Sequence, residues 1–329
     1  MGRFLIRRLL HMFAVLVAVL IIVSLLLRLI PGDPVDAMMS GNPGMTQENM
    51  DAVRQQLGLT DPVYVQVLSY SRDLARGDMG DSLRFRTPVF PLIMEKLPAT
   101  IELTVFAMLM AILIAVPLGL LTALKRDRPA DYVGSIVAVI GISIPSFLLG
   151  ILLIMALAVK WRIFPAAGYG GSMTGAIREL VTTGDPSALR ESLRYLFLPG
   201  ITLGVASAAY NARMVRSAMI EVLGQDYIRS AEAKGLARRT VIVRHALRNA
   251  LIPVITILGL RIGYLLSGAF VVENVFAWPG IGRFSVQALS WRDYPTIQGI
   301  VMITALIFLT INLLVDVLYA LIDPRIRLA

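Results

Sequence analysis

The chain reads as an all-α membrane protein with about six transmembrane helices, and three features of its sequence carry that reading. Of its 329 residues 57% are hydrophobic and only 16% charged, with a mean hydropathy of +0.73, too little polar surface to clothe a soluble globule. Apolar runs of bilayer length, about 20 residues, recur along the chain. Charge alternates between the intervening segments. The N-terminus, the turn at Lys125, the stretch 213–248 and the C-terminal Arg325 and Arg327 together hold about 16 basic against about six acidic residues, while the other segments hold about 14 of each sign. Both termini and the loop 221–250 are therefore expected on the cytoplasmic side. The net charge of +9 is explained by topology and calls for no nucleic-acid partner.

The first run, 9–30, follows Arg3, Arg7 and Arg8. Its length, the lack of a small-x-small cleavage site and the Ile30-Pro31-Gly32-Asp33-Pro34 turn favour an uncleaved anchor over a signal peptide. Residues 1–30 form the N-terminal region and first span, and 31–97 read as a small extracytoplasmic helical cap. In it Thr46 caps a predicted helix carrying Met50, Val53 and Leu57, with Gly58 beyond its end, and Asp61-Pro62 opens another carrying Val63, Val67, Tyr70 and Leu74 at helical spacing. Residues 98–329 form a core with five further spans, predicted at 98–124, 132–159, 196–219, 251–272 and 297–322. A short basic turn at 125–128 joins the second and third spans, and a longer mixed loop, 160–195, joins the third and fourth. The segment 273–296 carries Phe276, Trp278, Trp291 and Tyr294, suited to the membrane interface.

The polar island 226–249 is the most informative stretch. Asp226 is placed to cap a short helix on which Tyr227 and Ala231 share a face, and Gly235 is placed to end it with positive φ. A second helix over 238–249 then puts Ile242 and Ala246 on one stripe and Arg244 and Arg248 on another. Such a helix–Gly–helix unit suits a docking element. A plain cytoplasmic loop kept basic to orient the protein is the alternative.

Charge inside the apolar runs is the second signal, since an unpaired ion there costs several kcal/mol. Glu102, Arg261 and Asp316 are the candidates. Glu102 or Asp316 could neutralise Arg261, either as an interhelical brace or as a polar wall of a permeation path. Asn312 and Asp316 share a helix face. The run Gly141-Ile142-Ser143-Ile144-Pro145-Ser146 can bend or unwind the third span, and Pro145 and Ser146 are candidates for lining a cavity. Soluble-enzyme motifs are missing. No Gly-x-x-x-x-Gly-Lys-Ser/Thr loop assigns ATP hydrolysis to this chain, and its histidines, His11 and His245, form no zinc pattern. Cysteine is absent.

These motifs resemble those of ABC importer permeases, specifically the dipeptide, oligopeptide and nickel branch. The loop 226–249 is similar to the family's EAA coupling loop. Aligned on Gly235, Arg229-Ser230-Ala231 stands where the general pattern has Glu-Ala-Ala, and Arg248 where it has proline. Both departures are shared with the peptide and nickel branch. The resemblance continues through Leu97-Pro98-Ala99-Thr100 with Glu102, Trp278-Pro279-Gly280-Ile281-Gly282, Arg292-Asp293-Tyr294-Pro295 and Asp323-Pro324-Arg325. It implies a type I ABC importer permease fold in a bacterial or archaeal cytoplasmic membrane. It further implies a second homologous permease, two ABC ATPase subunits and an extracytoplasmic substrate-binding protein as partners in the bilayer. ATP and Mg would be used by the ATPases, with no cofactor on this chain. Asp226, Arg229, Ala231, Glu232, Gly235, Leu247 and Asn249 would couple to the ATPase, and Glu102, Pro145, Ser146, Arg261 and Asp316 would belong to the path. The expected solute is a di- or oligopeptide, with nickel, glutathione-like or opine-like solutes as alternatives. A gradient-driven secondary transporter and a membrane hydrolase are rivals from other classes.

Overall fold

The structure, a computed structural model, describes residues 2–29, 54 and 61–322. The predicted helix between Thr46 and Gly58 lies outside these apart from residue 54, as do the 30–34 turn and the 323–325 motif. The described residues are helical almost throughout. In order the helices are α1 Gly2–Leu29, α2 Val63–Ala75, α3 Val89–Leu124, α4 Pro129–Ser143, α5 Ser146–Leu153, α6 Met173–Thr183, α7 Ser187–Leu223, α8 Asp226–Ala233, α9 Arg238–Thr240, α10 Arg248–Val275, α11 Ile281–Ser290 and α12 Tyr294–Ile322. Two π-helical stretches, Ile154–Lys160 and Val241–Leu247, extend α5 and join α9 to α10.

Stretches within α1, α3, α7 and α12 are each long and apolar enough to cross a membrane, and α4 with α5 and its extension forms a pair bent by 103°. The 28-residue α10 holds the run predicted as the fifth span. The all-α membrane architecture expected from the sequence is thus present, with different boundaries. The second span begins at Val89 rather than 98, so Pro98 lies inside the helix. The fourth begins at Ser187, ahead of the polar Arg190, Glu191 and Arg194 that had assigned this stretch to a loop. Hydropathy locates what the bilayer covers, and these helices continue beyond it.

The chain divides into two compact units, Met1–Pro98 with Gly280–Ala329, and Ala99–Pro279. In the first, Val89 and Ile93 from the start of α3 pack with Ile281 and Phe284 of α11 and Ile300 and Ile303 of α12. Asp293, immediately before α12 and fully buried, organises this unit. Its carboxylate accepts hydrogen bonds from the Thr296 amide (3.4 Å), the Leu83 amide (3.1 Å) and the Ser82 hydroxyl, so one side chain caps a helix and pins the 80–88 hairpin. Arg8 of α1 pairs with Asp316 of α12 at 3.0 Å.

In the second unit α3 turns a stripe of alanines interrupted by one leucine inward: Ala99, Leu103, Ala107, Ala111 and Ala115, four apart and all buried. α7 answers with Gly200 and Gly204 at small-x-x-x-small spacing. A Cβ at Gly204 would stand 2.7 Å from the Ala107 carbonyl oxygen, so the close approach of the two backbones requires glycine there. At the far end Trp278 is buried, donates from Nε1 to the Ala99 carbonyl at 2.8 Å, and meets the Tyr169 ring edge-on at 4.8 Å.

The bend between α4 and α5 follows from Pro145. Proline excludes α conformation at the residue before it, and Ile144 is extended, with φ −80° and ψ 122°. The predicted third span is therefore two arms rather than one straight rod. Both pack on α7: a Cβ at Gly141 would meet Ala209, and one at Gly150 would meet Thr202 as well as Phe276.

Candidate functional site

The unit 226–249 stands beyond the ends of α7 and α3. α8 is seated by Ile228 and Ala231, both buried, against Val215 and Met219 of α7 and Ala123 of α3. This changes the face expected from the sequence. The inward pair is Ile228 with Ala231, at i,i+3, while Tyr227 points outward and is 42% exposed. Asp226 is also not the cap: Gln225 holds that position and makes no side-chain cap bond, and Asp226 is the first helical residue. Its charge still opposes the positive end of the helix.

Gly235 ends α8 as expected, with φ +75°. The Gly235 amide donates to the Glu232 carbonyl at 2.9 Å and the Leu236 amide to the Ala231 carbonyl at 3.4 Å, the paired 5→2 and 6→1 bonds of a Schellman motif. A side chain at Gly235 would meet nothing of this chain within 4 Å, so its backbone conformation alone selects glycine.

The second helix departs from the 3.6-residue period. Residues 241–247 are π-helical, and the buried pair is Val241 with Ala246, five apart as the i→i+5 winding requires. Ile242 and Leu247 are half-buried beside them. This helix runs directly into α10, so the loop is built on the ends of α7 and α10 without a flexible joint on the α10 side. Asn249 donates from Nδ2 to the Tyr227 hydroxyl at 2.9 Å, closing the unit across 22 residues.

What remains is a continuous exposed edge. All eight residues from 232 to 239 are exposed, as are Asp226, Arg229, Arg244, Arg248 and Asn249. Arg229 and Asp226 form a solvent-exposed pair at 3.6 Å, of little energetic weight. Leu236 and Val243 are exposed hydrophobics, 42% and 52%, on this otherwise charged edge. Sequence reasoning passed over both. The signal for Leu236 was its place one residue beyond the helix-ending glycine, where an apolar side chain usually folds back on the helix; here it faces out. Of the predicted coupling residues, Asp226, Arg229, Glu232, Gly235 and Asn249 lie on the exposed edge, whereas Ala231 and Leu247 hold it from inside.

The predicted path residues fall in both units, and each has its own surroundings. Glu102 accepts from the Tyr169 hydroxyl and the Met173 amide, each at 3.0 Å, and so anchors the 160–186 segment and the start of α6. Burial first, then the neighbouring Glu102 charge, raise the Tyr169 pKa above the ordinary tyrosine value, keeping the hydroxyl a donor. Asp316 pairs with Arg8 in the other unit. The Arg261 side chain lies outside the described residues. Pro145 is exposed and Ser146 half-exposed at the bend. The unpredicted polar feature is Arg216 of α7, which grips Asp131 of α4 with two hydrogen bonds of 2.7 Å.

Comparison with known proteins places this architecture. Residues 115–328 match the model of the binding-protein-dependent transport system inner membrane component, and residues 1–104 match its N-terminal companion. The chain is 43% identical over 328 residues to the dipeptide transport system permease protein DppB of Alkalihalophilus pseudofirmus, covering 98% of each. It is 39% identical to DppB of Escherichia coli K12, and 40% identical to the glutathione transport system permease protein GsiC of Salmonella choleraesuis, with 99% of each chain covered in both cases. The MetNI methionine ABC transporter shares the fold, with a TM-score of 0.56 at 18% identity over 70% of this chain and 96% of that one. A multi-pass membrane chain with this loop and these matches belongs to the family of binding-protein-dependent transport system inner membrane components, as a permease of the peptide-type ABC importers.

Proposed function

We propose that this chain forms half of the translocation path for di- or oligopeptides in the inner membrane of a bacterium and transmits to it the work of ATP hydrolysis by separate subunits. The observation that carries the reading is the exposed edge 232–239, mounted on a helix continuous with α10, in a chain alignable end to end with dipeptide permeases. An ATPase pair closing on ATP would carry α8 with it, and the join to α7 and α10 would pass that displacement into the bilayer. A second permease would complete the path, and a substrate-binding protein would deliver the solute from the other side.

The relatives named for glutathione transport support the same class, since glutathione is a small peptide. The test is uptake of labelled dipeptide by the reconstituted complex with its binding protein and ATP, alongside labelled glutathione and nickel. Dipeptide uptake lost on omitting ATP supports the proposal. ATP-dependent uptake of nickel alone would replace the solute, and ion-gradient-driven uptake without ATPases would replace the mechanism.

A further inference from the structure

From 195 to 212, α7 carries 18 residues without a charge, between Arg194 and Arg213. That run is about 27 Å long, close to the hydrocarbon thickness of about 30 Å. The helix itself thus marks both headgroup levels. Its first two turns stand at the level opposite the coupling loop.

At that level the chain folds a groove of about 390 Å³. Leu189, Leu193, Phe164 and Phe197 form its floor, with Pro186 at one end, and the rings of Phe164 and Phe197 stack at 4.6 Å, 8° from parallel. Arg190 and Arg194, four apart on the same helix face, stand in its wall and are exposed. Arg194 donates to the Ile163 carbonyl at 3.4 Å, which brings the adjacent, exposed Arg162 into the neighbourhood. Two carboxylates are close: Glu191, 3.8 Å from Arg194, and Asp185, which accepts from Ser187 and has its pKa lowered chiefly by that bond. Arg190, Arg194 and Arg162, set against two anions, leave the rim with a positive excess.

A groove at headgroup depth meets lipid phosphates and the acyl carbons just beneath them, and a pair of guanidiniums offers a phosphate charge-assisted bonds. We propose that this groove binds an anionic phospholipid, the phosphate held between Arg190 and Arg194 above Leu193 and an acyl chain leaving past Phe197 along the uncharged run. The positive rim selects against zwitterionic headgroups, which bring the same phosphate with a cancelling charge.

The complex, reconstituted in nanodiscs containing equal phosphatidylglycerol and phosphatidylcholine, is extracted in mild detergent and its retained lipid identified by native mass spectrometry. Phosphatidylglycerol is expected to be retained about tenfold over phosphatidylcholine on one site. The double variant Arg190→Gln/Arg194→Gln should lose that preference, and Leu193→Trp, which fills the groove, should lose the adduct itself. Arg178→Gln, which removes a cation that does not line the groove, should change neither. Equal retention of both lipids by the unaltered complex, or an adduct unaffected by both groove variants, would overturn the proposal. Displacement of the adduct by millimolar inorganic phosphate alone would reassign the site to a free anion.

Discussion

Asn249, at the start of α10, donates to the hydroxyl of Tyr227, on the outer face of α8, at 2.9 Å. With the Schellman turn at Gly235 between them, the two helices of the loop are fastened at both ends and move as one body. The bond is exposed, so its net contribution to stability is small, about 0.5 kcal/mol. Its importance lies in transmission. Tyr227→Phe should leave thermal unfolding in detergent within a degree or two of the wild type while lowering the ATPase stimulation produced by the loaded binding protein. Unchanged stimulation would show that α8 needs no fastening to α10.

Gly235 separates two effects that a single substitution confounds. Its φ of +75° disfavours any side chain, yet nothing of this chain lies within 4 Å of a Cβ there. Gly235→Asn, which tolerates the left-handed region, should preserve folding and much of the coupling. Gly235→Ala should cost about 1 kcal/mol locally. Gly235→Trp adds bulk that only a partner can feel, so it should insert and fold much as Gly235→Ala does while abolishing coupled transport. Equal transport by the Trp and Ala variants would mean that no partner covers this turn.

The Asp131–Arg216 pair joins α4 to α7 by two 2.7 Å hydrogen bonds, with Asp131 buried. Removing one partner leaves the other poorly solvated, so Asp131→Ala should destabilise the chain by about 3 kcal/mol. Arg216→Met, which removes the guanidinium but keeps the packing, should strand Asp131 similarly. The double variant Asp131→Ala/Arg216→Met should recover part of the loss. Thermal unfolding of the four proteins in one detergent measures the coupling, and additive losses would show that the two residues act independently.

What was legible in the sequence was mostly what backbone chemistry dictates. Proline at 145 broke the third span, glycine at 235 ended α8, and the order of apolar runs gave the order of helices. What escaped was set by partners distant in sequence. Asp316 answers Arg8, over three hundred residues away. Asp293 looked like one letter of an interfacial motif, yet it caps α12 and pins the 80–88 hairpin. The inward face of 241–247 was misread because a 3.6-residue period was applied to a π-helical stretch, whose winding depends on packing against α7 and α8 that no local pattern announces.

Tyr169 and Glu102 supply a pH prediction. Tyr169 is raised from its unfolded value of 10.0 by burial and by the Glu102 charge. A group with a raised folded pKa contributes its stability fully below the unfolded pKa and loses it as pH rises through the folded one. The hold on the 160–186 segment should therefore be constant from neutrality to about pH 10 and weaken only above it. Hydrogen exchange in this segment should be faster in Tyr169→Phe and Glu102→Gln than in the wild type throughout the neutral range. Matching protection in all three would show that other contacts hold the segment.

Pro145 permits a geometric test of the bend. With the two arms bent by 103° from straight, backbone positions 133 and 152 stand about 18 Å apart, whereas a straight helix would separate them by about 29 Å. Both Val133 and Leu152 are exposed, so spin labels there should be tolerated, and electron–electron distance measurements should return the shorter value. Pro145→Ala restores an amide donor and removes the constraint on Ile144. Because both arms are seated on α7 through Gly141 and Gly150, packing should hold most of the bend, and the distance should broaden toward longer values rather than jump. A single sharp distance near 29 Å in the variant would mean that proline alone enforces the bend. A short, unbroadened distance would mean that the seats on α7 suffice without it.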